Sequence, residues 1–269
     1  EHPNIVPIHD VGVDAEGRYF FVMKYVDGET LESIIARLRA GDPEAVERYD
    51  VPRRVEIFEG LVRALAFAHA AGYLHRDIKP ANVMVGRYGE VVLMDWGVAC
   101  PRAGDRHTAE APVADATLDL SARLSSTQAG SLVGTPAYAA PERLRGDDKP
   151  DPRMDVYSIG VVLYEMLAGR RPFDAPTFAE LAQKVKTMEP PPLRKIRPDL
   201  PKALEDVVLR SLAKQREQRW ATAEEFAAAL VPFGGRRVSR GDDSPSDSFT
   251  MDLLRLRARE TSHRLRLSM

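Results

Sequence analysis

The chain has 269 residues, 44% of them apolar, with 38 Lys and Arg against 40 Asp and Glu and a single cysteine, Cys100. Such a composition excludes disorder of the whole chain and a disulfide framework, and the near balance of charge argues against a surface that coats nucleic acid. No run of 18 or more apolar residues reads as a membrane span, so a cytoplasmic globular protein is expected, although an anchor outside this segment would leave no trace in it.

In chain order, residues 5–13 (IVPIHDVGV) and 18–26 (RYFFVMKYV) are dense in β-branched and aromatic side chains and flank the turn DAEG, which predicts a hairpin. From Arg53 the period becomes helical. Val55, Phe58, Val62, Leu65 and His69 recur at steps of three and four, and Gly72 stands where a C-terminal glycine would end the helix. Two short strands are predicted at 82–85 and 91–95 around GRYGE. Residues 98–134 then lose periodicity over a stretch far longer than an ordinary loop, which reads as functional or disordered.

The remainder reads as helices. Asp151-Pro152 predicts a helix start, with an apolar helix running from Met154 to Ala168 and ending at Gly169. Thr177-x-x-Glu180 and Thr222-x-x-Glu225 each have capping-box spacing. This order predicts an α+β architecture with a mostly helical second half. After Leu230 the text turns linker-like, and 251–269 carries five Arg among scattered Leu. That tail is a solvated, disordered segment on one reading and a docking or autoregulatory segment on the other.

The chemistry concentrates in His75-Arg76-Asp77-Ile78-Lys79-Pro80-Ala81-Asn82, between the long helix and the strand at 82–85. Thirteen residues after Asn82, Asp95 ends the next predicted strand in Met94-Asp95-Trp96-Gly97. Phosphoryl transfer needs oxygen ligands for magnesium, a base for the incoming hydroxyl and a cation on the migrating phosphate. Asp77 is a candidate base and Lys79 a candidate phosphate cation. Asn82 and Asp95 are candidate magnesium ligands from the two ends of one hairpin.

On these residues the chain resembles a protein kinase, through the catalytic loop His-Arg-Asp-x-x-x-x-Asn and a variant of the Asp-Phe-Gly magnesium motif. Lys79 makes it look like the Ser/Thr class. Gly134-Thr135-Pro136-Ala137-Tyr138-Ala139-Ala140-Pro141-Glu142 is similar to the close of the activation segment that Asp95 opens. The resemblance implies ATP and Mg2+ as cofactors, protein substrates, and autophosphorylation in trans as a further reaction. It implies that Thr135 orients Asp77 and Lys79, and that Glu142 pairs with an arginine of a later helix. Arg219 in KQREQRW is the candidate, with a solvated surface arginine as the alternative. Asp155 would receive backbone N–H groups of the 75–77 turn, or serve as a helix N-cap, or both.

The segment from Phe20 to Gly28 looks like the last strand of the smaller lobe entering the hinge. Met23 would then be the gatekeeper, the backbone of Lys24 and Val26 would bond the adenine edge, and Asp27 would face the ribose. A plain core strand and turn is the alternative. Trp96 replaces the usual Phe and would pack beside His75, with Gly97 completing the motif. Arg76 would pair with a phosphate on the long loop, at Thr127 first or Ser131 second, unless these are only polar loop residues.

The resemblance covers about residues 1–232 and departs from the family at its start. A Gly-rich loop, a strand lysine and a helix glutamate are expected before His2-Pro3-Asn4-Ile5-Val6, and none occurs. The expectation is therefore a two-lobe, protein-kinase-like fold: residues 1–26 the remnant of the smaller lobe, 27–232 a complete helical lobe, 233–269 linker and basic tail. Such a chain would be a fragment with little activity alone, and a non-catalytic kinase-like scaffold is the competing function.

Overall fold

In the computed structural model, residues 2–96, 99–101, 136–147 and 149–235 are described. The first element is an antiparallel hairpin of β1 (Ile8–Val13) and β2 (Tyr19–Met23), with Val11 opposite Phe21 and Val13 opposite Tyr19. Its turn is set by Asp14, whose Oδ1 accepts the N–H of Glu16 (3.0 Å) and Arg18 (2.8 Å), and by Gly17 at φ +78°. The hairpin pairs with no third strand among the described residues, and Ile8, Val13, Phe20 and Val22 stay largely in solvent.

Residues 2–6 are tied to the body of the molecule instead. Asn4 accepts the N–H of Leu93 (2.8 Å) and donates its side-chain amide to the Val91 carbonyl (2.7 Å), while the Val6 N–H reaches the Leu93 carbonyl (3.2 Å).

After β2 comes β3 (Gly28–Thr30), which leads into two helices that the apolar period did not reveal: α1 (Leu31–Arg39) and α2 (Pro43–Arg48). Both carry local start signals. Thr30 Oγ1 accepts the Ser33 N–H, and Asp42 caps α2 just ahead of Pro43. The long helix α3 (Val51–Ala70) is capped by Asp50, and the chain leaves it through Gly72 at φ +85°. Val55, Phe58, Val62, Leu65 and His69, the positions of the predicted apolar stripe, are all buried.

The short strand β4 (Tyr73–Leu74) follows, then β5 (Val83–Gly86) and β6 (Val91–Leu93), which join β3 in an antiparallel sheet of order β3-β5-β6. A seventh strand, β7 (Cys100–Pro101), pairs with β4, so the start of the predicted aperiodic stretch is a strand that places Cys100 opposite Leu74.

The rest is helical: α4 (Pro141–Leu144), α5 (Arg153–Ala168), α6 (Phe178–Thr187), α7 (Lys202–Ser211) and α8 (Ala223–Leu230). Every residue of α5 from Met154 to Leu167 is buried, the pattern of a helix packed on all sides. Gly160 lets α7 come close, since a Cβ there would stand 2.0 Å from Ser211 Oγ. The exit from α5 is the left-handed Gly169, and Thr177 and Thr222 cap α6 and α8 by accepting the N–H of Glu180 and Glu225. The architecture is α+β, with eight α-helices and three small antiparallel sheets among the described residues. None of those helices is long and apolar enough to cross a membrane.

Candidate active site

The site is organised by the β5–β6 hairpin. Val83 pairs with Leu93 and Val85 with Val91, so Asn82, just before β5, lies opposite Met94. The Met94 N–H donates to the Asn82 carbonyl (2.8 Å) and closes that end. Asp95 follows at once, so the two candidate magnesium ligands leave the same end of one antiparallel pair. Val83 and Val85 are buried and Met84 between them is half-buried, the alternation of a strand with one face turned to the core.

That loop is held from below by α5. Asp155, fully buried, accepts the backbone N–H of His75 on Oδ2 (2.9 Å) and of Arg76 on Oδ1 (2.9 Å), and Oδ2 also bonds His69 Nε2 (2.9 Å). Burial alone would raise the Asp155 pKa. The hydrogen bond from His69 and the N–H groups of the loop outweigh it and hold the carboxyl below its ordinary value. Asp155 thus receives the loop N–H groups, although the carboxylate lies inside the first turn of α5 instead of capping it.

Arg76 sits at φ +68° and Asp95 at φ +59°, the two non-glycine residues with positive φ among the described residues. Each such conformation costs about 1–3 kcal/mol and persists only where its surroundings over-determine it. At Arg76 the determinants are visible: Asp155 takes its N–H, and the buried Arg143 guanidinium donates to its carbonyl. Arg143 was not legible in the sequence, since a buried arginine bonded to a distant carbonyl leaves no spacing signal.

His75 is fully buried and is placed between the two motifs. Nε2 donates to the Met94 carbonyl (3.0 Å) and Nδ1 accepts the Asp77 N–H (3.3 Å), a pattern that assigns a neutral ring with its proton on Nε2. Burial pushes its pKa down against the pull of Asp155, which agrees with the neutral form. The Trp96 ring meets His75 edge-on with centroids 4.6 Å apart, and its indole N–H reaches the Leu93 carbonyl (3.4 Å).

The loop brings Asp77, Lys79 and Asn82 together. Lys79 Nζ lies 2.6 Å from Asp77 Oδ2, and Asn82 Nδ2 donates to the Asp77 carbonyl (2.9 Å) and to Oδ2 (3.3 Å). Spending the amide nitrogen on Asp77 turns the Asn82 carbonyl oxygen, a hard ligand, away from it.

Among the described residues no three His, Cys, Asp or Glu stand close enough to hold a metal by themselves. The donors that leave the hairpin end, the Asn82 side-chain carbonyl and the Asp95 carboxylate, are hard oxygens of the kind magnesium takes, binding through one or two protein oxygens and completing its shell with phosphate and water. Asn82 and Asp95 are the residues that would hold it.

At the hinge, Lys24 donates its N–H to the Pro7 carbonyl (3.2 Å), and Val26 makes no backbone hydrogen bond among the described residues. Met23 ends β2 and is 43% exposed. The Asp27 carboxylate pairs with Arg87 on the surface (2.8 Å) and its carbonyl accepts the Arg87 N–H.

Glu142 and Arg219 form a bidentate pair, both contacts at 2.7 Å and both residues buried. Arg219 stands after a 3-10 turn (Arg216–Gln218), not in a helix, and its remaining donors reach the carbonyls of Ala213 and Arg153. Gly97, Thr127, Ser131 and Thr135 lie outside the described residues.

Residues 1–230 match the protein kinase domain family model. Serine/threonine-protein kinase pkn3 of Myxococcus xanthus is 36% identical over 256 residues, covering 92% of this chain and 42% of the relative. PknA of Mycobacterium tuberculosis is 36% identical over 249 residues, covering 91% and 51%. PknB of Mycobacterium leprae is 36% identical over 233 residues, covering 86% and 33%. The chain therefore spans between a third and about half of the length of these curated relatives.

Proposed function

The chain belongs to the protein kinase family, and from that premise we propose that it carries the catalytic lobe of a protein serine/threonine kinase, which moves the γ-phosphoryl group of ATP to Ser or Thr hydroxyls of proteins. The observation that carries this reading is the joint geometry of Asp77, Lys79 and Asn82, with Lys79 Nζ 2.6 Å from Asp77 Oδ2 on a loop fastened by the buried Asp155.

In the reaction a bond forms between the acceptor oxygen and the γ-phosphorus, and the bond from that phosphorus to the β–γ bridging oxygen breaks. The hydroxyl proton goes to Asp77, and ADP leaves. Lys79 stabilises negative charge on the group in transfer. Asn82 and Asp95 would hold magnesium, which when bound would supply neutralisation of phosphate charge. The neutral His75 keeps the loop and Asp95 in register without taking part in proton transfer. The Lys24 carbonyl and the Val26 backbone, which take no backbone hydrogen bond among the described residues, are the groups that would bond the adenine edge. We place the protein in the cytoplasm and include its own loop, with Thr127 and Ser131, among the acceptors in trans.

The 269 residues contain no Gly-rich phosphate loop or strand lysine of the family. Without those donors we assign the chain by itself a low rate of transfer. The competing function is a kinase-like scaffold that binds partners without chemistry.

The test is incubation with γ-labelled ATP, magnesium and casein, followed by phosphoamino-acid separation. The expected result is label on phosphoserine and phosphothreonine that EDTA abolishes. No label after prolonged incubation of a longer protein that includes this chain supports the scaffold, and label that ignores EDTA counts against the magnesium assignment.

A further inference from the structure

Beside the catalytic loop lies a cavity of about 850 Å³, walled by α1, the C-terminal end of α5 and the turn after it, with Pro80 and Tyr138 on its lining. Resting on the kinase reading above, we propose that this cavity binds an acidic side chain of the substrate peptide, close to the phosphoacceptor, through Arg54 and Arg170.

The charge inventory of the wall decides the sign. Five arginines line the cavity, at 39, 54, 170, 171 and 197, against three carboxylates, Glu32, Glu165 and Asp174. Most of these charges are already matched. Glu165, which would be the natural receptor for a basic peptide, is buried, accepts the Tyr138 hydroxyl (2.7 Å) and pairs with Arg39 (3.3 Å). Asp174 is paired with Arg171 (3.0 Å), and Arg197 with Asp199 beyond the wall (2.6 Å). Glu32, exposed in the first turn of α1, is the remaining anion and opposes the effect from the rim.

Arg54 and Arg170 form no ion pair with a carboxylate among the described residues, although the charges of Asp50 and Asp199 reach Arg54 from further off. Arg170 is exposed. Arg54 is only 6% exposed and is held by two carbonyls, Nε to Tyr49 (2.7 Å) and Nη1 to Met166 (3.2 Å). A guanidinium so deep in the protein with no carboxylate in ion-pair contact is costly: burial first, then the charge of Arg197, lower its pKa to about 10 against the weaker pull of Asp50 and Asp199. An anion entering the cavity supplies the missing partner, and a charge-assisted bond to a buried guanidinium is among the stronger polar contacts.

Position selects a peptide over a free anion. Pro80 is three residues from Asp77, which keeps their Cα atoms within about 11 Å of each other. A peptide whose hydroxyl reaches Asp77 therefore spans to the cavity mouth in three or four residues.

The test uses the 269-residue chain and fluorescein-labelled peptides that share a central Ser and differ only in flanks of Glu, Ala or Arg. Binding is read by anisotropy at low ionic strength, so it does not depend on turnover. The Glu-flanked peptide is expected to bind about tenfold more tightly than the Ala-flanked one. That ratio should fall to near unity in Arg170→Glu, a surface change that spares the fold, and persist in Asp77→Asn. Arg54→Lys, which keeps the charge but not the fork, should lower it partway. Equal affinities, tighter binding of the Arg-flanked peptide, or a preference that survives Arg170→Glu would overturn the proposal. So would loss of the preference to millimolar inorganic phosphate with no peptide selectivity beneath it. A preserved acidic preference with no phosphotransfer to any peptide counts against the proposed function and leaves this site standing.

Discussion

Asp77→Asn is expected to lower phosphotransfer by about 10²–10⁴-fold, the usual contribution of a positioned general base, while the protein melts at the wild-type temperature. The substitution keeps size and shape on a side chain that is 10% exposed. The amide still has an oxygen to accept Lys79 Nζ and Asn82 Nδ2, now at 2.6 and 3.3 Å from Oδ2. What it removes is the capacity to take the hydroxyl proton. Steady-state rates with labelled ATP, compared in the same protein context as wild type, measure this. A loss of less than about tenfold with an unchanged melt would move the base elsewhere and leave Asp77 as an orienting group.

The second large effect is on stability. Asp155→Ala is expected to cost about 3–5 kcal/mol, the range for breaking a buried charged network from one side. The carboxylate accepts from His69 and from the N–H groups of His75 and Arg76, all at 2.9 Å in a fully buried site, so its removal strands three donors at once. It also releases one of the two restraints that keep Arg76 at φ +68°, so the catalytic loop should relax and activity fall even at temperatures where the variant is folded. Urea denaturation measures the stability part.

The pH dependence gives the sign. The Asp155 pKa is depressed in the folded protein, so its stabilisation is complete above the unfolded carboxylate value of about 4 and is lost as pH falls through the folded value. The difference between wild type and Asp155→Ala should therefore shrink as pH falls below about 4. A difference that went on growing below that pH would contradict the assigned charge state.

The comparison of sequence and structure divides along physical lines. The stripe of α3 was legible because five apolar positions share one face of a twenty-residue helix. The fully buried α5 was legible through its ends, Asp151-Pro152 and Gly169, although a helix apolar on all sides has no period to read. Helices α1 and α2 were missed. They are short, and their caps at Thr30 and Asp42 are local signals without a long stripe behind them, even though Asp42-Pro43 repeats the dipeptide that marks the start of α5. Strand β7 was missed because two residues paired with Leu74 and Tyr73 depend on tertiary contact alone.

At the site, residue type and spacing named Asp77, Lys79, Asn82 and Asp95, because the chemistry demands oxygens and a cation at fixed places along one hairpin. The supports that set their geometry were less visible. His69 and Arg143 act through a buried carboxylate and a backbone carbonyl, and neither contact has a sequence spacing. The same holds for the partner of Asp27, since Arg87 lies sixty residues along the chain.

The central claim is that one end of the β5–β6 hairpin holds a metal–nucleotide complex through Asn82 and Asp95. Calorimetric titration of ATP into the chain, with magnesium and then with EDTA, tests it most directly when wild type is set beside Asp95→Asn. The account predicts tighter binding with magnesium in wild type, and binding in Asp95→Asn that magnesium no longer improves although the variant melts as wild type does. Equal benefit from magnesium in both proteins would contradict it.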